Sequence, residues 1–442
     1  MKYSYEEVIN IIQNTRRFGN YTGVEVSKHM LEQLGNPQSG IPFVHVAGTN
    51  GKGSTTAFLC KILEQTGKKI GMFTSPHLID FEERIRINGQ YISKEDVTRI
   101  GNLLLETKVE LPPTMFDYCL AMAVIYFKEQ ECELMVMETG IGGRYDSTNA
   151  LGIPEVSIIT KIGFDHTAIL GNTLEAIARE KAGIIKPDAP VVTQMQQESV
   201  KKVLLDCYKE INDLDNGESA GFYEVSREDL KYADSFPRKM YGGFQIENAA
   251  TAVLAARIMI NKWAKSGILK QDACEMEQME AYIRDGIAQT FWKGRMEILN
   301  EEPFFMIDGA HNAHGVHALA ESLKQLYPNE KFHFIMGVMA DKDYEEMIEE
   351  LLPLAIDFVT VTPESNRALQ SKDLAECISR KGIPAVYAED LEAVIRPYLS
   401  GVEKQGEATN NVTRAQWNGK TVAFGSLYFI GAIEALAQGY AS

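Results

Sequence analysis

A lysine and a serine stand at the end of a glycine-rich turn, Gly48-Thr49-Asn50-Gly51-Lys52-Gly53-Ser54, which follows the apolar run Ile41 to Ala47. These are the parts of a phosphate cradle. Glycines let backbone N–H groups close on phosphoryl oxygens, a following helix turns its positive end toward them, and a lysine adds a full charge. The spacing departs from the common GxxxxGK[ST] loop, because Gly48 and Gly51 sit closer and Gly53 separates Lys52 from Ser54. Asn50, Gly51, Lys52, Gly53 and Ser54 are the candidate phosphate contacts, and a bare glycine turn is the plain alternative.

Other chemistry-bearing residues also follow apolar runs. Glu138 ends Leu134-Met135-Val136-Met137 and opens a second glycine-rich turn, Gly140-Ile141-Gly142-Gly143. An acid so placed suits a Mg²⁺ beside nucleotide phosphates, although strand-end acids are often just solvated. Ser75 follows the run Lys69 to Thr74, and His166 follows Val156 to Thr160; a lone histidine is more often structural than a ligand. Lys181 lies four residues after Ile177 and seven after Leu174, on the apolar stripe of a helix starting at Thr173. A lysine there must snorkel, pair or be modified. Asp308-Gly309-Ala310-His311-Asn312 follows another apolar run, and Arg295 could reach a nucleotide or make a structural salt bridge.

Short apolar strands alternating with helical segments position these groups. That pattern predicts an open parallel sheet with helices on both faces, whose ligands bind outside the carboxyl ends of the strands. Helices are expected over 5–18, Ser27 to Leu34, about 94–107, from after Pro112-Pro113 through Phe127, from Thr173 to near Gly183, and from Gln245 to Ile260. Residues 211–240 are polar and weakly patterned. A second alternation begins after Gly294-Arg295, with strands expected at 304–307, 332–338, 358–362, 385–387 and 421–424. The expected division is therefore an N-terminal P-loop parallel-sheet ATPase domain over 1–294 and a smaller Rossmann-like α/β domain over 295–442. The stretch 403–420 reads as a surface loop.

Composition bounds the rest. A chain of 442 residues is too long for one ordinary core, and 45% hydrophobic with 24% charged residues is the make-up of a globular protein. A formal charge of -17 argues against nucleic-acid partners and requires local basic groups for any anionic substrate. Six scattered cysteines without a CxxC pair suggest neither disulfides nor zinc, and no apolar run is long enough to span a bilayer. A cytoplasmic monomer is expected.

Taken together, the motifs resemble the folylpolyglutamate synthase/dihydrofolate synthase family, a branch of the Mur ligase superfamily of ATP-dependent amide-forming ligases. The resemblance rests on Leu34-Gly35-Asn36-Pro37-Gln38, Gly48 to Ser54, Thr74 to Leu78, Glu83 to Arg86 and Gly140 to Asp146. It continues through Asp165-His166, Glu180 to Lys186, Phe244-Gln245 with Asn248, Gly294 to Glu297, and Asp308 to Asn312. It implies ATP and Mg²⁺ as cofactors. Asn50, Gly51, Lys52, Gly53, Ser54, Asn248, Arg295 and Asp308 would meet the nucleotide, and Ser75, Glu138 and His166 the metal. Lys52, Lys181 and His311 would be catalytic, with Lys181 carbamylated. Thr114, Met115, Phe116, Asp117, Tyr145, Asp146 and Ser147 match segments that contact the pterin-bearing substrate. Family members usually carry Phe-Glu where this chain has Phe116-Asp117, and an aliphatic residue at Tyr145. The implied reaction joins L-glutamate to a folate or to dihydropteroate through an acyl phosphate, in a site between two domains that excludes water. Another Mur-type ligase acting on a cell-wall precursor would need a UDP-binding domain, for which too few residues precede Gly48. A P-loop ATPase module would not need Lys181 or the Asp308 turn.

Overall fold

The computed structural model describes residues 2–15, 22–213, 221–399 and 419–441. The expected loop at 403–420 therefore lies, up to residue 418, outside the described residues, as does Phe18 of the first expected helix. The chain divides into two compact units, Met1–Lys239 with Gln245–Phe291, and Met240–Phe244 with Trp292–Ser442.

The first unit is built on eight strands: β1 (Phe43–Ala47), β2 (Ile70–Phe73), β3 (Ile85–Ile87), β4 (Gln90–Tyr91), β5 (Leu134–Glu138), β6 (Val156–Ile159), β7 (Val191–Thr193) and β8 (Phe222–Glu224). Their order in the sheet is β4-β3-β2-β5-β1-β6-β7-β8. All neighbours are parallel except β3, which runs antiparallel to both β2 and β4. Asn88 and Gly89, both at positive φ, close the β3–β4 hairpin as such turns require. β1, β2, β5, β6 and β7 are buried along their whole length, which is why each reads as an unbroken apolar run. From β1 the chain passes through the helix Lys52–Glu64 to β2, leaving a place that β5 fills. From β5 it crosses to the other side of β1 and enters β6. The carboxyl end of β1 thus lies at a switch point, where open α/β sheets form their ligand crevice.

Several helices begin at a side-chain cap: Ser4, Thr22, Ser93, Thr114, Thr173 and Ser226 each accept a backbone N–H from the first turn. The first helix ends at Gln13, earlier than its apolar pattern suggests. The second starts at Gly23, four residues earlier than expected, because the Thr22–Glu25 capping box sets its origin. Within the polar stretch 211–240, the described residues from 221 onward hold β8 and a helix Arg227–Asp234. A helix Met276–Gln289, buried at Met279, Ile283 and Ile287, completes this unit.

The second unit carries β9 (Glu297–Asn300), β10 (Phe305–Ile307), β11 (Phe332–Met336), β12 (Ala355–Val361), β13 (Ala385–Ala388) and β14 (Lys420–Phe424), in the order β13-β12-β11-β14-β10-β9. Among these described strands only β9 pairs antiparallel. Its core is aromatic: Phe334 stacks on Phe358 at 5.2 Å and meets Phe424 edge-on at 5.7 Å. Phe244 packs against the same core, so the segment Met240–Phe244 belongs here and not with the residues on either side of it. The unit resumes at Trp292, three residues before the expected start of the domain.

Candidate active site

The loop after β1 is shaped by two glycines. Gly51 sits at φ 88°, and a Cβ there would stand 2.4 Å from Asn248 Oδ1. A Cβ on Gly48 would stand 1.8 Å from Thr160 Oγ1, so the backbone can approach the end of β6 only without a side chain. Thr49 N–H donates to Lys161 O at 2.9 Å, and Thr49 Oγ1 donates to Gly163 O at 3.0 Å, tying the loop to the segment that follows β6. The helix Lys52–Glu64 then starts from Gly51 with no side-chain cap and no acid in its first turn. Its first N–H groups lack intrahelical acceptors and form the positive end of the helix dipole.

Two lysine amines converge on this end. Lys52 Nζ donates to Gly48 O at 3.2 Å and to Thr49 O at 3.3 Å, and lies 3.9 Å from Glu138 Oε1. Lys181, 4% exposed, donates from Nζ to the same Gly48 O at 2.8 Å. Burial, and then the charge of Lys52, pull the Lys181 amine down to about 7, against weaker upward pulls from Asp165 and Asp146. It buries its amine instead of snorkelling. Glu138, buried at the end of β5, accepts the Ser75 N–H at 3.2 Å. The structure thus brings Lys52, Lys181, Glu138 and Ser75 to the carboxyl ends of β1, β2 and β5. His166 stands at the start of a short helix with its Nε2 3.9 Å from Asp165 Oδ1 and its side chain well exposed.

Asn248 and Ser54 lie behind the loop. Asn248 Nδ2 donates to Gln245 Oε1 at 2.9 Å, and its Oδ1 accepts from Gln194 Nε2 at 2.8 Å and Thr55 Oγ1 at 3.4 Å. Gln245 Nε2 donates to Ser54 Oγ at 3.4 Å. Both expected nucleotide contacts are buried, so their side chains brace the loop from its inner side. Gln194, Gln245 and Thr55 are the bracing residues that sequence reasoning missed, and Gln245 was marked only as part of a motif.

The expected substrate segments meet in one place, but their polar side chains face inward. Asp117 Oδ1 accepts from Ser27 Oγ at 2.6 Å and Ser147 Oγ at 2.7 Å, while its Oδ2 accepts the Thr114 N–H at 2.8 Å and Oγ1–H at 2.7 Å. Asp146 Oδ2 accepts the N–H groups of Gly140 and Ile141 at 2.9 and 3.0 Å, and its Oδ1 accepts the Thr148 N–H at 3.0 Å. Thr148 Oγ1 gives its proton to Asp146 Oδ1 at 2.5 Å, so the buried His45, 2.7 Å away at Nε2, must be the donor to Thr148. Burial holds His45 neutral, down to about 3, and pushes Asp146 up. Thr114, Asp117, Asp146 and Ser147 therefore fasten the segment instead of facing out of it. Each carboxylate oxygen of Asp117 and Asp146 thus accepts hydrogen bonds from within the protein. Tyr145 is 57% exposed, and Met115 and Phe116 are half-buried, with the Phe116 ring 5.6 Å from that of Phe73.

In the second unit, Arg295, Asp308 and His311 form their own cluster around Gly309. Asp308, buried at the end of β10, accepts the Met296 N–H at 2.9 Å and the Ala310 N–H at 2.8 Å. Burial raises its carboxyl, against a downward pull from Arg295. Arg295 Nη1 donates to Gly294 O at 3.2 Å and packs so closely on Gly309 that a Cβ there would meet it at 1.9 Å. His311 Nδ1 lies 2.9 Å from Gly309 O.

Two family models match the chain, the Mur ligase middle domain over residues 46–256 and the Mur ligase glutamate ligase domain over 294–408. The dihydrofolate synthase/folylpolyglutamate synthase of Bacillus subtilis is 34% identical, covering 97% of both chains. The structure of Escherichia coli FolC in complex with DHPP and ADP superposes with a TM-score of 0.80 at 25% identity, over 100% of this chain and 99% of that one. Mycobacterium tuberculosis folylpolyglutamate synthase complexed with ADP gives 0.79 at 26% identity, over 98% of each chain. The order of motifs, the two α/β units and these likenesses agree: the chain belongs to the folylpolyglutamate synthase/dihydrofolate synthase family of the Mur ligase superfamily.

Proposed function

We propose that this protein is an ATP-dependent ligase that joins L-glutamate to the carboxylate of a folate, with dihydropteroate as a second acid substrate. The observation that carries the reading is the uncapped helix start after the glycine loop with the Lys52 amine beside it, a site built for a polyanion in a chain of charge -17. Relatives bearing the names of both activities, and family structures holding ADP, support it.

The chemistry needs activation because a carboxylate is a poor acyl donor. One of its oxygens attacks the γ-phosphorus of ATP, the bond to the bridging oxygen breaks, and ADP leaves. Lys52 turns from the loop carbonyls to the phosphoryl oxygens and offsets their charge during transfer, while the N–H groups after Gly51 hold the neighbouring phosphates. The glutamate amine then attacks the acyl carbon, giving an amide, phosphate and a proton. Arg295 meets a nucleotide phosphate, with Asp308 and His311 beside it. Phe116 and Tyr145 offer aromatic surface to the pterin.

Glu138 and the Ser75 hydroxyl are hard oxygen donors, and a single carboxylate with substrate phosphates and water is how Mg²⁺ is usually held. Those residues fit the ion, with His166 as a further candidate. When bound, Mg²⁺ supplies Lewis-acid neutralisation of phosphate charge. Lys181 in its neutral form adds to carbon dioxide: an N–C bond forms, a proton leaves, and the carbamate carries a negative charge. Its nitrogen keeps one N–H, enough to go on donating to Gly48 O, while its oxygens face the charge of Lys52.

Phosphate release measured with ATP and paired substrates tests the reading. Release is expected only when L-glutamate is combined with tetrahydrofolate or dihydropteroate. Release without any acid would make the protein an ATPase, and a requirement for a UDP-muramoyl compound would move it to another branch of the superfamily.

A further inference from the structure

The segment Gly294-Arg295-Met296 is a strained turn. Gly294 sits at φ 67° and Met296, a fully buried non-glycine residue, at φ 45°. Left-handed backbone at a long side chain persists only where the surroundings hold it. Here two carboxylates do so from either side. Asp308 Oδ2 accepts the Met296 N–H at 2.9 Å, and Glu297 Oε2 accepts the Gly294 N–H at 2.7 Å. Gly294 O in turn accepts the Gly309 N–H at 2.8 Å and Arg295 Nη1 at 3.2 Å. The guanidinium direction is therefore set by the plane of the Gly294 peptide, and Glu297 grips that residue's N–H.

We propose that Glu297 is a positioning residue for Arg295, its ionised carboxylate clamping the turn that aims the guanidinium. This rests on the reading of Arg295 as a nucleotide-phosphate contact. Removing the clamp frees Gly294 to rotate, and Arg295 loses the carbonyl that orients it. Burial, and then the nearby Glu434, push the Glu297 carboxyl up to about 7, while its Gly294 hydrogen bond and Lys293 draw it down. Lys293 itself is paired with Glu434 Oε1 at 2.7 Å. The clamp is consequently at full strength above neutral pH and weakens as the carboxylate protonates below it.

ADP binding to the full-length protein, measured by calorimetry at pH 6 and pH 8.5, tests this in wild type, Glu297→Gln and Arg295→Ala. The amide keeps the shape and an acceptor oxygen but not the charge. Glu297→Gln is expected to bind ADP about 10-fold more weakly than wild type at pH 8.5, and within about twofold at pH 6, where wild type has lost its own charge. A loss of the same size at both pH values marks a merely structural role and overturns the proposal, as does unchanged binding at pH 8.5. If Arg295→Ala binds ADP like wild type, the reading beneath the proposal fails; if it binds weakly while Glu297→Gln does not, only the positioning role fails. Thermal melts guard against unfolding. The variant removes a charge that burial disfavours, so at pH 8.5 it should melt no lower than wild type.

Discussion

Two amines that share one carbonyl repel each other, and the buried member of the pair gives way. Below pH 7 Lys181 is protonated in both folded and unfolded chains, and its burial penalty stands in full. Between about 7 and its ordinary value of 10.5 the folded protein releases the proton first, so this residue's contribution to stability improves as pH rises. The same shift controls its chemistry. At a fixed level of dissolved carbon dioxide, the carbamate signal in ¹³C NMR should rise with pH, because only the neutral amine reacts and a proton is released, and Lys181→Arg should show neither the signal nor most of the activity. A fully active Lys181→Arg without carbamate in the wild type would end the proposal. Lys181 was legible in the sequence because a charge on an apolar stripe is conspicuous. Asp117 and Asp146 were legible only as acids, since nothing in a sequence tells whether a carboxylate's oxygens are already taken. Glu297 passed as part of a motif, because its meaning lies in the backbone N–H three residues before it.

At the scale of elements, the loop after β1 depends on how closely it passes β6. Gly48→Ala would drive a methyl into Thr160, with Oγ1 at 1.8 Å and Cβ at 2.9 Å, and would displace the carbonyl that both lysines use. Such overpacking typically costs about 1–3 kcal/mol. A double-mutant cycle gives a sharper expectation: Thr160→Ala should return part of the stability lost in Gly48→Ala, because it removes Oγ1 but leaves Cβ. Strict additivity of the two changes would show that the contact is not the cause. The strands flanking this loop were readable from their continuous apolar runs. β8 was not, because it is a short, half-exposed edge strand without a buried face. The helix Arg227–Asp234 did leave a signal, the Ser226–Asp229 capping box, within an otherwise polar stretch. Met279, Ile283 and Ile287, spaced by four, likewise marked the helix Met276–Gln289. β9 escaped because it pairs antiparallel, in a region read only for parallel strands.

At the scale of the molecule, each unit has its own sheet and its own hydrophobic core. Calorimetric unfolding should accordingly fail a two-state test, with a measured enthalpy larger than the van't Hoff value. ADP at about 100 times its dissociation constant should stabilise the folded, ADP-binding protein by about 2.7 kcal/mol and raise its unfolding temperature. A single two-state transition would show that the cores do not melt separately. The division into two α/β parts was legible in the two alternations of strand and helix, but the path between them was not. Five residues, Met240–Phe244, leave the first unit for the second before the chain returns for Gln245–Phe291. This stitch limits how such a gene can be recombined. An exchange of the C-terminal part with a relative at residue 294 would carry over the second sheet but leave behind Met240 and Phe244, which are shaped for the original partner. Gly243 N–H donates to Ser322 Oγ at 3.2 Å, and a Cβ on Gly242 would stand 2.8 Å from the Met296 sulfur. Positions 240–244 must therefore be inherited together with Met296 and Ser322, although the whole helix Met276–Gln289 lies between them in the sequence.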